Sequence, residues 1–429
     1  MSVTSPGFFR ALVSMRTTAG ATGLAPVLLL LGLSGVERFD YTAFGVLGPE
    51  IRAQFHLTSA GYLSITSLTV VLPLFATPHL GNLSDRFNRV QLAMIGGLVW
   101  GVTAVLTGLA PTVLALVLAR LAGGVGITVN MPTHPSLLSD WYARDVLPTV
   151  YGWYLIAPAA IGLVAGPLAG SITAASSWRV AFVILAVPTL VFALLLLRLR
   201  EPARGHSMGR EHPPARAGGV LRSFGHLARV RSLRRIWVAA TFFGSGVVIF
   251  ATLLSLYFQD VYHYGPGLRG AIAALFGLGG LAGLLAGGAT GRMLVARGRA
   301  EVLPVVIGAM FLVGFGGGML LMALAPSGPV AVGAVLIVAI ANGGWGPAYL
   351  TMVALISPAH LRGQAFAWST LWFSLGAVVA SPVIGHVGDV WGQRWAVGVL
   401  ALLVAIAGVL NFWVASVIAG DLVESRAQA

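Results

Sequence analysis

Runs of about twenty apolar residues, separated by short polar breaks, recur along nearly the whole chain and constrain its fold more than any motif does. The hydrocarbon core of a membrane is roughly 30 Å thick and a helix rises about 1.5 Å per residue, so each run has the length of one crossing. Twelve runs are predicted: near 24–48, 59–80, 90–109, 112–137, 149–172 and 179–198, then near 236–258, 268–290, 302–324, 329–353, 364–387 and 395–418. They divide six and six. The expected architecture is an all-α membrane protein of 12 transmembrane helices in two six-helix bundles, 1–198 and 236–429. A cytoplasmic linker over 199–235, rich in Arg, Pro, Gly and His, joins them.

Composition agrees that lipid is the solvent. Of the 429 residues, 57% are hydrophobic and 9% charged, with a mean hydropathy of +0.89, more apolar surface than a water-soluble fold can hide. The N-terminus runs through Arg10 and Arg16 into a full-length span, which predicts an uncleaved anchoring helix rather than a signal peptide. With no cysteine, disulfides and thiolate metal sites are excluded. The sequence has no Gly-x-x-x-x-Gly-Lys phosphate loop and no helical His pair at i, i+4 with an acid, so no enzyme, cofactor or metal is expected.

The net charge of +13 comes entirely from arginine, and its distribution carries the information. With the N-terminus inside, the inner set is Arg10, Arg16, Arg86, Arg89, Arg144, the run from Arg198 to Arg235, Arg292, Arg297, Arg299, Arg362 and Arg426. The outer set is Arg52, Arg179, Arg269 and Arg394. That asymmetry follows the positive-inside rule and predicts both termini to be cytoplasmic. No basic segment is interleaved with stacking aromatics, so nucleic acid is not the expected partner.

A charge inside a span costs a few kcal/mol and is kept where it serves. The first span carries Glu37, Arg38 and Asp40, with Tyr41 beside them, and the fourth carries Arg120. The later spans show no deep acid or base apart from His386 near an end. Glu37 lies roughly 16 Å from the outer end of its span and Arg120 roughly 12 Å from the end of its own, so the two are expected to meet. Such a pair either exchanges a proton when an anionic substrate competes for the arginine or pins two helices together. Either Glu37 or Asp40 is the proton carrier. Asn130 and His134 lie deeper in the fourth span, where Pro132 and Pro135 predict a kink; His134 reads as a solvated cap or a relay. Asn342, Trp345, Tyr349, Trp368 and Trp372 supply either an aromatic wall for a greasy ligand or interfacial anchors.

The halves repeat each other. Gly81-Asn-Leu-Ser-Asp85-Arg86-Phe-Asn-Arg89 follows the second span and Gly287-Gly-Ala-Thr-Gly291-Arg292 follows the eighth, while Trp153, Pro167 and Gly170 recur at a constant offset of 215 as Trp368, Pro382 and Gly385. A doubled unit suits a site exposed alternately to each side. The loop from Gly81 to Arg89 resembles the signature of the major facilitator superfamily. That resemblance implies a packing role for Gly81 and gating charges at Asp85, Arg86 and Arg89; the alternative is a plain cytoplasmic loop. The stretch Gly162-Leu-Val-Ala-Gly166-Pro167-Leu-Ala-Gly170 is similar to the fifth-helix motif of proton-coupled antiporters, and reads equally as a small-residue packing face.

Residues 33 to about 145 resemble the spinster family of lysolipid and sphingolipid transporters. The resemblance lies in Glu37-Arg38-Phe39, Gly45-Val-Leu-Gly-Pro49-Glu50-Ile51, Phe55, Gly61, Asp85 to Arg89, Arg120, Gly124, Gly126, Pro135 and Asp140. Glu37 stands where that family has Asp, and Ile127 where it has an acid; the Glu-Arg-Phe triplet is also similar to proton-coupled peptide transporters. The function expected is proton-coupled transport of an amphipathic, lysolipid-like or drug-like solute by a monomer in the bacterial inner membrane. The alternatives are a symporter of a polar nutrient or peptide, and a non-transporting receptor on the same fold. The expected partners are the substrate, protons and membrane lipid.

Overall fold

The computed structural model describes residues 23–69, 75, 87–142, 147–202, 220–357 and 361–427, and every regular element among them is helical. In order these are α1 Ala25–Val46, α2 Gly48–Gln54, α3 over 59–69, α4 Arg89–Leu109, α5 Val113–Thr128, α6 Asn130–Trp141, α7 Leu147–Ala175 and α8 Trp178–Leu195. They continue as α9 Val220–Leu227, α10 Arg231–Tyr262, α11 Pro266–Ala296, α12 Ala300–Leu324, α13 Gly328–Ile356, α14 Arg362–Trp391 and α15 Gln393–Ala427. Nine stretches among the described residues are long and apolar enough to cross a membrane. α1 has the length but carries Glu37, Arg38 and Asp40. Large apolar side chains such as Leu109, Leu285, Val313 and Val379 lie exposed on these helices, as lipid contact requires.

Local chemistry sets the helix ends. Asn88 caps α4 by accepting from the Gln91 N–H at 3.0 Å, and Thr112 caps α5 by accepting from Ala115 at 3.2 Å. α10 stops at His263, whose φ of 56° is left-handed, and α14 at Gly392, where φ is 91°. The fourth span is interrupted at Val129, between α5 and α6. A proline at 132 offers no N–H to the Thr128 carbonyl, so the ladder weakens there, a few residues earlier than the proline pair alone suggests. α10 begins at Arg231 and α9 occupies Val220–Leu227, so part of the expected 199–235 linker is helical.

Two compact units emerge. One comprises the described residues of Met1–Tyr41, Leu72–Gly162 and Arg179–Ala215; the other comprises Thr42–Val71, Leu163–Trp178 and Arg216–Ala429. In the first, Leu30, Leu33, Ala93, Leu137, Leu138 and Val150 form the core. There the Tyr142 hydroxyl bonds the Gly23 carbonyl at 2.9 Å and receives the Val27 N–H at 3.3 Å, and burial pushes its phenol up to about 12.

The second unit takes in α2, α3 and the end of α7 because glycines let backbones touch there. A Cβ on Gly166 would lie 2.7 Å from the Gly270 carbonyl oxygen, and one on Gly270 would lie 2.2 Å from that of Gly166. A Cβ on Gly170 would lie 2.3 Å from the Pro266 oxygen, and one on Gly385 would lie 2.2 Å from Ala60 Cα. Gly170 and Gly385 are the pair related by 215 residues, and each receives the first turn of a helix from the opposite half of the sequence. Only a residue without a side chain fits such contacts.

Candidate functional site

In the first unit, α1 presents two faces. Glu37 and Asp40, three residues apart, share one of them, and both are buried. Asp40 Oδ2 accepts from Arg120 Nη1 at 2.6 Å, and the Arg120 guanidinium also lies 5.5 Å from the centre of the Trp100 ring. Glu37 accepts instead from the Asn130 side-chain amide. The expected Glu37–Arg120 contact is therefore corrected: Arg120 pairs with Asp40. Helical rise explains the outcome, since Asp40, like Arg120, lies about 12 Å from the outer end of its span, one turn nearer than Glu37.

On the other face Arg38 sits 5.1 Å above the Tyr41 ring and is exposed. A Cβ on Gly162 would stand 3.8 Å from the Arg38 side chain, an ordinary van der Waals contact, so Gly162 lies beside Arg38 without being required by it. His134 is fully buried, with Nδ1 2.9 Å from the Tyr154 hydroxyl, which corrects the reading of a solvated cap. One oxygen of Asp40, Asn130 Oδ1 and His134 Nε2 have no hydrogen-bond partner among the described residues.

Of the gate residues, Gly81, Asp85 and Arg86 lie outside the described residues. Arg89 is buried and bonds Asp140 at 2.6 Å, Glu201 at 2.8 Å and Ser136 Oγ at 2.6 Å, joining the start of α4 to α6 and to the segment after α8. Glu201 escaped the sequence reading, because a lone acid after a span carries no signal. Gly166 and Pro167 belong to the close α7–α11 crossing described above.

In the second unit the Trp345 ring packs 4.3 Å from Phe243, 5.3 Å from Tyr349 and 6.0 Å from Phe311, centre to centre. Trp372 stacks toward Trp237 at 6.5 Å, and Trp368 lies 4.6 Å from Phe224 of α9. The indole N–H groups of Trp368 and Trp372 and the Asn342 side-chain oxygen are buried without a hydrogen-bond partner among the described residues. The four aromatic residues among the five selected from sequence thus fall into two ring groups, Trp345 and Tyr349 with Phe243 and Phe311, and Trp368 and Trp372 with Phe224 and Trp237.

A polar network that the sequence did not announce also lies in this unit. Arg269, only 2% exposed, pairs with Glu50 and donates to Ser255 Oγ at 2.8 Å and the Val46 carbonyl at 3.0 Å. Arg52 pairs with Asp260 at 2.7 Å, Gln393 bridges Asp260 and Ser59, and Asp389 caps α3 through the N–H groups of Ser59 and Ala60 at 2.7 and 3.0 Å. The sequence places Arg269 among the outer-end charges; its burial follows from the docking of α2.

The Major Facilitator Superfamily profile matches residues 30–380. The chain belongs to this superfamily. It is therefore a transporter, an integral multi-pass membrane protein of the bacterial inner-membrane type, and not an enzyme. Among its relatives, Multidrug resistance protein 1 of Bacillus subtilis is 31% identical over 159 residues, 36% of this chain and 40% of that protein. Protein spinster of Drosophila melanogaster is 27% identical over 202 residues, 46% of this chain and 33% of that protein. The matches thus span less than half the length of either relative. The crystal structure of a bacterial homolog of the human lysosomal transporter Spinster, inward-facing and unoccupied, superposes with a TM-score of 0.79 at 18% identity, over 92% of this chain and 97% of that one. At that identity the likeness speaks for the major facilitator fold.

Proposed function

We propose that this transporter carries amphipathic solutes, lysolipid-like or drug-like, by alternating access coupled to protons. The observation that carries the reading is the contrast between the two units. One buries Glu37, Asp40 and Arg120 on facing helices, while the other gathers Phe243, Trp345, Tyr349, Trp368 and Trp372. An anionic head competing with Asp40 for Arg120 gains a charge-assisted pair, and an acyl chain or ring gains about 0.8 kcal/mol per methylene buried against aromatic carbon. A sugar or peptide set against the same wall leaves donors unpaired at roughly 1–3 kcal/mol each. The relative named for multidrug resistance supports a drug-like substrate.

Glu37 is the proton carrier in this account. Among the described residues its hydrogen-bond partner is a neutral amide, so it changes charge without breaking an ion pair, whereas Asp40 is held by Arg120. The Glu50–Arg269 and Arg52–Asp260 network is the gate that closes one end of the pathway. Thermal stabilisation of the purified protein by a homologous series of lysophospholipids tests the substrate class. Affinity is expected to rise with acyl length; a flat series, or stronger stabilisation by hydrophilic peptides or sugars, favours the polar-nutrient symporter instead.

A further inference from the structure

The proposed mechanism uses two of the polar contacts that α1 makes with the helices facing it. Asp40 meets Arg120, and Glu37 meets Asn130. One turn further along α1 from Glu37 lies Ser34, bonded to the Tyr154 hydroxyl of α7; one turn further along α6 from Asn130 lies His134, 2.9 Å from that same hydroxyl. The rings of His134 and Tyr154 meet edge to face, with centres 5.8 Å apart and planes at 80°. Ser34 and Tyr154 thus hold the imidazole by Nδ1 in one orientation and leave Nε2 as the working nitrogen.

Two orphaned atoms point to what that nitrogen does. His134 Nε2 and Asn130 Oδ1, four residues apart and so on one face of α6, are both buried and have no hydrogen-bond partner among the described residues. A histidine kept only to fill space between α6 and α7 has no need of a polar edge directed away from its one hydrogen bond, and a buried polar atom left unpaired is costly.

We propose that His134 is a second proton station, oriented by Tyr154, which receives the proton that Glu37 gives up. This rests on the reading of Glu37 as the coupling carboxyl. In the step, the O–H bond of the Glu37 carboxyl breaks and an N–H bond forms at His134 Nε2, leaving a carboxylate and an imidazolium with no net change of charge. In the imidazolium the Nδ1–H donates to the Tyr154 oxygen, so the cation keeps its anchor. The groups that face the imidazole are Tyr154 and, through it, Ser34; Asn130 on its own helix; and Glu37 of α1, which acts electrostatically on the Tyr154 hydroxyl. The neighbouring cations are engaged elsewhere, Arg120 by Asp40 and Arg89 by Asp140 and Glu201. Tyr154 is a positioning residue and touches neither substrate nor the transferred proton.

The test uses the full chain in proteoliposomes, with a fluorescent lysophosphatidylcholine as probe and an internal pH dye. Uptake driven by a pH gradient is compared with counterflow at uniform pH for wild type, Glu37→Gln, His134→Asn and Tyr154→Phe. His134→Asn is expected to lose gradient-driven uptake and proton release while counterflow persists, and Tyr154→Phe to keep both with a displaced pH profile. If Glu37→Gln loses coupling while His134→Asn and Tyr154→Phe retain the wild-type profile, the second station is wrong and the Glu37 reading stands. If Glu37→Gln itself remains coupled, the proton reading fails and takes this proposal with it. Should His134→Asn not fold, the profile of Tyr154→Phe decides: an unshifted profile overturns the role assigned to the pair.

Discussion

Arg179 and Arg394 stand 215 residues apart and perform the same task. Arg179 Nη1 donates to the carbonyls of Gly108 and Ala110 at 2.9 and 2.8 Å, and Arg394 Nη1 to those of Ala323 and Ala325 at 2.9 and 2.7 Å. The acceptors are offset by the same 215 residues. Each arginine begins one helix and satisfies the open carbonyls at the end of another, α4 in one case and α12 in the other. The internal repeat is thus visible as repeated chemistry, beyond the repeated letters Trp153, Pro167 and Gly170.

Equal roles predict equal costs. Arg179→Ala and Arg394→Ala are each expected to remove about 1–3 kcal/mol by leaving partly buried carbonyls unpaired. Thermal unfolding in detergent should show similar losses for both, with flux at permissive temperature retained. A large loss for one and none for the other would contradict the equivalence.

Breaking the Asp40–Arg120 pair should be harsher than neutralising it. Arg120→Ala strands a buried carboxylate, with an expected cost of about 3–5 kcal/mol, whereas Asp40→Asn combined with Arg120→Gln removes both charges and should recover much of that. A double-mutant cycle on unfolding free energy checks this. A coupling energy near zero would mean that the contact contributes little.

The polar network around α2 and α3 is expected to hold its end of the protein shut. Because the chain lacks cysteine, Thr252→Cys, facing Gly45, provides a single reporter. Adding Arg269→Gln should speed its labelling by a membrane-impermeant thiol reagent. Unchanged labelling would show that the backbone crossings at Gly170 and Gly385 close this end unaided.

Tyr142 gives a pH dependence with a definite sign. Its phenol titrates near 10 when unfolded and near 12 in place, so folding favours the protonated form. Its contribution to stability is complete below about pH 10 and disappears as pH rises through about 12. The stability difference between wild type and Tyr142→Phe should be constant at lower pH and shrink across that window.

Which parts of this were legible in sequence follows from the range of each interaction. Helix positions and the exceptional status of Glu37, Asp40 and Arg120 rest on local hydropathy, which a linear reading captures. Partner choice does not: Arg120 had Asp40 and Glu37 within one turn of each other, and the match at about 12 Å from the helix end separates them only when both acids are measured. Arg269 read as an interfacial charge until the docking of α2 buried it against Glu50. His134, near a helix end, reads as a solvated cap or a relay, while the residue that bonds it, Tyr154, is twenty positions away. The π-helical turn at Met310–Gly316 within α12 has no counterpart in the apolar pattern.

Neutralising Glu37 should uncouple proton movement from the flux of an amphiphile. Proteoliposomes containing wild type or Glu37→Gln are given a pH gradient, and uptake of a lysophospholipid is followed together with internal pH. The account predicts that wild type accumulates lipid and moves protons in step, while Glu37→Gln binds and exchanges lipid but neither accumulates it nor moves protons. Accumulation by Glu37→Gln equal to that of wild type, with the same proton flux, would contradict the account.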